Sequence, residues 1–336
     1  MKLSTYFKPK TMIYTGSFSH IATQIKHWQY DMKKVELVEG FEFDPNMKHY
    51  IQVVGLADVD KIQEIRKHLP IDPLVLEDIF NVNQRNKFEL NDLYLFGTFS
   101  LSYLEEQVIK NDYMSILMFP NVIVSFHETQ PKYLEDIHLL FNEHKELREL
   151  PADYLFFQIM DIITDNHLEV YDYLDLAVNE FEAQLLETKS IEQEDFYNVR
   201  KKMLELKNNV SPIAEQLEKV LSKKSSLFNS ATSTYFEDLK DHLQRLDNRL
   251  NQSREITRNL LDLHMNNQST KMNKIMATLT LFSATFIPLS FLTGFFGMNF
   301  VHFGILQYEL AVYLFSGICI VIAVGMVLFF KKKNWF

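Results

Sequence analysis

Residues Met272–Phe300 read M-N-K-I-M-A-T-L-T-L-F-S-A-T-F-I-P-L-S-F-L-T-G-F-F-G-M-N-F. From Ile275 to Tyr308 no residue carries a fixed charge, a run longer than the roughly 20 apolar residues a membrane-spanning helix requires. A second uncharged run extends from Leu310 to Phe330, followed by Lys331, Lys332, Lys333, Asn334, Trp335 and Phe336. The two runs predict a transmembrane hairpin. Lys271 and Lys274 precede the first run and Lys331–Lys333 follow the second, so the cationic bias places both outer ends in the cytoplasm. The predicted organisation is a cytoplasmic α/β domain (1–150), an acidic helical hairpin (151–232), a stalk helix (233–272), a first transmembrane helix continuous with it (273–298), an outer loop (299–307), a second transmembrane helix (308–330) and a basic cytoplasmic tail (331–336).

Composition narrows the function. The chain has 336 residues and a formal net charge of -10. Because lysines cluster beside the apolar runs, the remainder is more acidic still, which argues against nucleic acid as partner and suits divalent cations. The N-terminal residues hold no apolar core of about 7 or more residues, so no secretory signal is expected there. Cys319, the single cysteine, falls in the second run and supports no redox role. No glycine-rich phosphate loop and no nucleophile motif is present, and the histidines show no spacing with Cys or Glu suited to a zinc cage. An enzyme and an organic cofactor are therefore not expected.

Short β-like runs at Thr11–Tyr14, Val35–Val38, Tyr50–Val54, Leu93–Leu104, Tyr113–Phe119 and Val122–His127 alternate with helical ones at Phe18–Trp28, Val59–His68 and Pro73–Phe80. Strands and helices so mixed predict a layered α/β domain. Beyond Pro151 the breakers thin out. Helices are expected from Asp153 to about Thr188, from Glu192 to about Leu221 with a kink or split at Pro212, and from Thr234 onward without a stop at the membrane.

Along the first apolar run Asn273, Met276, Leu279 or Thr280, Ser283, Ile287 and Ser290 recur at steps of three or four, so they share a helical face. Polar and apolar positions alternate along it. Spacing alone fits either helix–helix packing or the lining of a pore. Gly297-Met298-Asn299 follows, and by itself it fits a helix-ending turn as well as a binding site.

The combination is more specific. Gly297-Met298-Asn299 after an uncharged helix, a short loop, a second helix and a terminal Lys-Lys-Lys-Asn-Trp resembles the CorA family of magnesium channels. The likeness extends to Ile71–Ile79 with Asn83-Gln84-Arg85, and to Met272-Asn273-Lys274. The resemblance implies a homopentamer in the cell membrane whose pore is lined by Asn273, Met276, Leu279, Thr280, Ser283, Ile287 and Ser290. Gly297, Met298 and Asn299 would form the outer filter, and Mg²⁺ would be both transported and regulatory ion. It also implies a cytoplasmic ion sensor of acids paired between neighbouring subunits. Asp78 with adjacent Glu77, and Asp238, are the first candidates, and Asp161 and Asp165, one helical turn apart, are the next. The outer loop departs from many relatives in lacking acids; Glu309 alone stands nearby, beside His302. The alternatives are a zinc transporter on the same scaffold and, from another class, a membrane-anchored coiled-coil scaffold.

Overall fold

The computed structural model describes residues 12–134, 141, 144–187, 191–298, 304 and 308–333. They divide into two compact units, Met1–Ala183 with Ile191–Arg258, and Gln184–Ser190 with Asn259–Phe336.

The first unit is built on a seven-stranded sheet. Its strands are β1 (Gln24–Tyr30), β2 (Val35–Val38), β3 (Lys48–Val54), β4 (Lys87–Leu90), β5 (Leu95–Glu105), β6 (Val108–Met118) and β7 (Val122–His127), in the spatial order β2-β1-β3-β7-β6-β5-β4. Every neighbouring pair is antiparallel except β3 with β7. After β3 the chain crosses through α1 (Val59–His68) and α2 (Pro73–Phe80) to the far edge, then returns strand by strand to β7.

Local chemistry fixes the crossover. The Asp58 side chain accepts from Lys61 N at 3.1 Å to cap α1, and Asp72 accepts from Leu74 N at 2.8 Å beside Pro73, which opens α2. The two helices lay Ile62, Ile65, Val75, Leu76, Ile79 and Phe80 onto the sheet face that carries Ile51, Val53, Phe96, Leu117, Val124 and Phe126. Because strand side chains alternate, Tyr50, Ser125 and His127 fall on the other face. There Tyr50 Oη bonds Ser125 Oγ at 2.8 Å and His127 Nε2 meets the same hydroxyl at 2.9 Å, so the buried polar groups are satisfied.

Among the described residues four α-helices follow, α3 (Lys145–Glu149), α4 (Asp153–Leu186), α5 (Gln193–Leu221) and α6 (Ser233–Phe296), before α7 (Ala311–Lys332). In α5 the residues Phe196, Met203, Leu206, Val210, Ile213, Leu217 and Val220 are buried, a single stripe at helical spacing. The helix runs through Pro212 without splitting. Between Ser233 and Thr270 the buried positions of α6 are Phe236, Leu239, Leu243, Leu246, Leu250, Ser253, Thr257, Leu260 and His264. They alternate steps of three and four, the heptad spacing of a coiled-coil seam.

Two expectations fail. Phe18–Trp28 is not a helix: Gln24–Tyr30 is strand β1, paired with β2 and with all seven residues of β3. No strand forms at Met12–Tyr14. Conversely β4, the polar segment Lys87–Leu90, was not anticipated; it is a strand because Phe88 and Glu89 pair with Gly97 and Phe96 of β5.

Candidate functional site

Helix α6 is uninterrupted from Ser233 to Phe296, so stalk and first apolar run form one element, as expected. Among the described residues two helices, α6 and α7, are long and apolar enough to cross a membrane. Within the second unit Phe296 of α6 meets Phe315 of α7 with ring centroids 5.0 Å apart. A cleft of about 800 Å³ beside them is lined by Leu292, Leu314 and Ile318.

Exposure divides the apolar part of α6 by face. Ala277, Leu281, Ala284, Thr285, Pro288, Leu289, Leu292 and Phe296 are half-buried or buried. At about 100° per residue they form one stripe. Asn273, Met276, Leu279, Thr280, Ser283, Ile287 and Ser290 lie on the roughly opposite side and are all exposed. Met276, Leu279 and Ile287 are 59%, 65% and 66% exposed, a degree of apolar exposure that marks an interface with lipid or another chain. The Thr280 hydroxyl donates to Met276 O at 2.8 Å, which satisfies it within its own helix.

Beyond Phe296, Gly297 N donates to Thr293 O at 2.9 Å and Met298 N to Phe295 O at 3.3 Å. A Cβ on Gly297 would stand 3.0 Å from the Thr293 carbonyl, so glycine suits this tight final turn. Asn299 and His302 lie outside the described residues. Glu309 occupies the turn directly before α7, at the start of that helix.

The acids expected to sense ions fall into two groups. Asp78, at the end of α2, is held by Lys87 Nζ at 2.7 Å from Oδ2 and by a hydrogen bond from Gln84 Nε2 to Oδ1. Burial works against the Lys87 ammonium, but its bonds to Asp78 and Glu89 outweigh that and raise its pKa above the ordinary value. Glu77 is half-buried beside it.

Asp161, Asp165 and Asp238 make the second group, brought together from α4 and α6. Burial raises the Asp161 carboxyl above its usual range, and the charges of Asp165 and Asp238 add to this while His242 opposes it. His242 Nε2 stands 3.6 Å from Asp238 Oδ1. A cavity of about 190 Å³ opens there beside Asp165, His242, Arg245 and Arg249. Among the described residues no group of three or more His, Cys, Asp or Glu side chains is placed to hold a metal ion. Asp78 and Asp238 have different partners within the chain. Two partners went unnoticed in the sequence. Lys87 carried no signal, whereas His242, four residues after Asp238, carried the ordinary one-turn spacing.

Comparison with known proteins identifies the family. The family model described as "CorA-like Mg2+ transporter protein" matches residues 52–332. A cobalt/magnesium transport protein CorA of Thermotoga maritima is 27% identical over 339 residues, covering 97% of this chain and 96% of the relative. A zinc transport protein ZntB of Yersinia enterocolitica is 24% identical over 181 residues, 53% of this chain and 54% of that protein. Among solved structures, the complete CorA magnesium transporter of Methanocaldococcus jannaschii superposes with a TM-score of 0.74 at 18% identity, covering 94% of this chain and 100% of that one.

Proposed function

Because the chain belongs to the CorA family of Mg²⁺ transporters, we propose that it is a divalent-cation channel. It admits Mg²⁺, and also Co²⁺ and Ni²⁺, down the electrochemical gradient and closes when cytoplasmic Mg²⁺ rises. The observation that carries this reading is the exposed face of α6 from Asn273 to Ser290, opposite the face covered within the chain. One helix cannot enclose a pore, so copies arranged about an axis must, with cyclic closure; the family likeness makes the assembly a homopentamer. Asn273, Ser283 and Ser290 then supply polar rings, and Met276, Leu279 and Ile287 apolar rings that gate by dewetting.

No carboxylate lies on that face. Mg²⁺ gives up its water reluctantly, and amide or hydroxyl oxygens can accept hydrogen bonds from the hydrated ion without trapping it. Asn299 with the carbonyls of Gly297 and Met298 forms the outer filter. At about 2.3 kcal/mol per charge per 100 mV, a divalent ion gains roughly 4 to 5 kcal/mol on entry, so no fuel is needed. Both chain ends face the cytoplasm, where Lys331–Lys333 form a basic ring.

Feedback operates through the acids. Asp78 and Glu77 of one subunit approach Asp238 of the next, with Asp161 and Asp165 alongside, and Mg²⁺ bridges them in the closed form. Loss of the ion releases their repulsion, and α6 carries the change to the pore; the ion acts by its greater affinity for the closed state. The zinc-transporting relative gives a second reading, Zn²⁺ transport on the same scaffold. Flux into liposomes holding the purified protein, measured with Mg²⁺, Co²⁺, Ni²⁺ and Zn²⁺ at several external pH values, separates the two. Mg²⁺ flux indifferent to a proton gradient supports the channel. Zn²⁺ flux alone overturns it.

A further inference from the structure

Two cavities open along the seam between α5 and the sheet, and their charges are opposite. The first, about 680 Å³, is lined by the carboxylates of Glu105, Asp112, Glu128 and Glu205 and by Lys110. The second, about 530 Å³, is lined by Arg85 and Lys207 and by no carboxylate. Ser100, Asn208 and Asn209 line both, so the two adjoin. Each volume is that of a small-molecule site.

Within the acidic end Lys132 pairs with Glu105 and Lys201 stands 3.9 Å from Glu205. Glu128 is only 8% exposed; its carboxylate receives a hydrogen bond from Tyr14, and among the described residues no cation acts on it. Oδ2 of Asp112 is shielded from water and accepts no hydrogen bond. Burial, with the Glu128 charge adding to it, pushes the Asp112 carboxyl up to about 7, and burial also raises Glu128. Carboxylates so placed favour a cation in the space beside them. Tyr103, Tyr113 and Phe18 complete that wall and suit an organic cation better than a bare ion.

The floor between the ends is amide. Asn86 Nδ2 donates to Asn209 O at 2.7 Å and Asn209 Nδ2 to Ser102 Oγ at 3.3 Å, so polar side chains dock α5 onto the sheet and hold the cleft's shape. At the basic end Arg85 is exposed and Lys207 half-buried, a pair suited to an oxyanion. Gln84 and Arg85, which the ion pathway leaves without a part in conduction, therefore border this cleft.

We propose that the cleft binds a small dipolar solute, with its ammonium group at the Glu128 end and its oxyanion at the Arg85–Lys207 end. The experiment is calorimetric titration of the full-length protein in detergent with phosphoethanolamine and 4-aminobutyrate, set against ethanolamine and inorganic phosphate. At least one of the first two binds tenfold or more tightly than either single-ended compound. Arg85→Ala and Glu205→Gln, both at exposed positions, each weaken that binding about tenfold, the scale of one charge-assisted hydrogen bond, with the thermal midpoint unchanged. If neither dipolar compound binds more tightly than its single-ended counterparts, or if both variants keep the parent affinity, the proposal is wrong.

Discussion

The two halves of α6 use the same spacing for opposite ends. From Phe236 to His264 every third or fourth residue is buried within the chain, and the positions between carry Glu237, Lys240, Asp241, Arg245 and Arg249. From Asn273 to Ser290 a face of like period is exposed, and no charge occurs after Lys274. In the first half water surrounds the helix, and the apolar stripe drives it onto its own chain. In the second half lipid would remove that drive, and in the proposed channel the face with polar oxygens is left for other copies. The lesson is that a heptad pattern identifies a contact face but not the partner.

The largest expected effect tests the exposed half. Asn299→Ala removes the filter amide from every subunit at once and abolishes Mg²⁺ uptake by proteoliposomes, while size-exclusion chromatography still shows the parent oligomer. Wild-type flux in this variant would remove the filter assignment and leave the exposed face as packing only.

The buried half should respond in stability, not in conduction. Leu246 is 2% exposed, and Leu246→Ala is expected to cost ~2–5 kcal/mol, read as a lower midpoint in chemical denaturation. Folded variant protein still conducts. A loss below ~1 kcal/mol would mean that the seam is not a packed one.

Coupling between the halves is tested by the paired acids. Asp78→Asn with Asp238→Asn shifts closure to several-fold higher internal Mg²⁺ with the open-state flux intact. Closure at the parent concentration would move the sensor elsewhere, and Asp161 with Asp165 is the next pair to change.

The smallest effect concerns the cleft beside α5. The Asp112 carboxyl sits at about 7 in the folded chain against 3.8 ordinarily, so between these values the folded state binds more protons than the unfolded. Stability therefore falls as pH rises from 4 to 7, by ~3 kcal/mol at most on the scale of 1.4 kcal/mol per pKa unit. Asp112→Asn flattens this part of the pH–stability curve. An unchanged slope would assign it to another group.

Much of this was legible in the chain's own order. Val35–Val38, Val59–His68, Pro73–Phe80 and Val122–His127 stand where periodicity and capping residues put them, because the forces that form them act within a few residues. The apolar hairpin was equally plain, since its length and lack of charge depend on no other part of the chain. Phe18–Trp28 was misread because Trp28 and Tyr30 become strand residues only by pairing with Tyr50 and Lys48 of β3, a partner invisible to local reading. Lys87–Leu90 is the same case at the other edge.

For the site, sequence alone determined which residues share a face: Asn273 to Ser290 on one helix, and Asp161 with Asp165 on another, follow from helical geometry. Only the tertiary structure decided which of those faces is covered, that Asp238 and His242 join Asp161 and Asp165 while Lys87 and Gln84 hold Asp78, and that Arg85 and Glu128 border adjoining cavities. Such meetings depend on how the crossover after β3 and the long helices bring distant segments together, and charge in a sequence carries no record of the distance between its bearers.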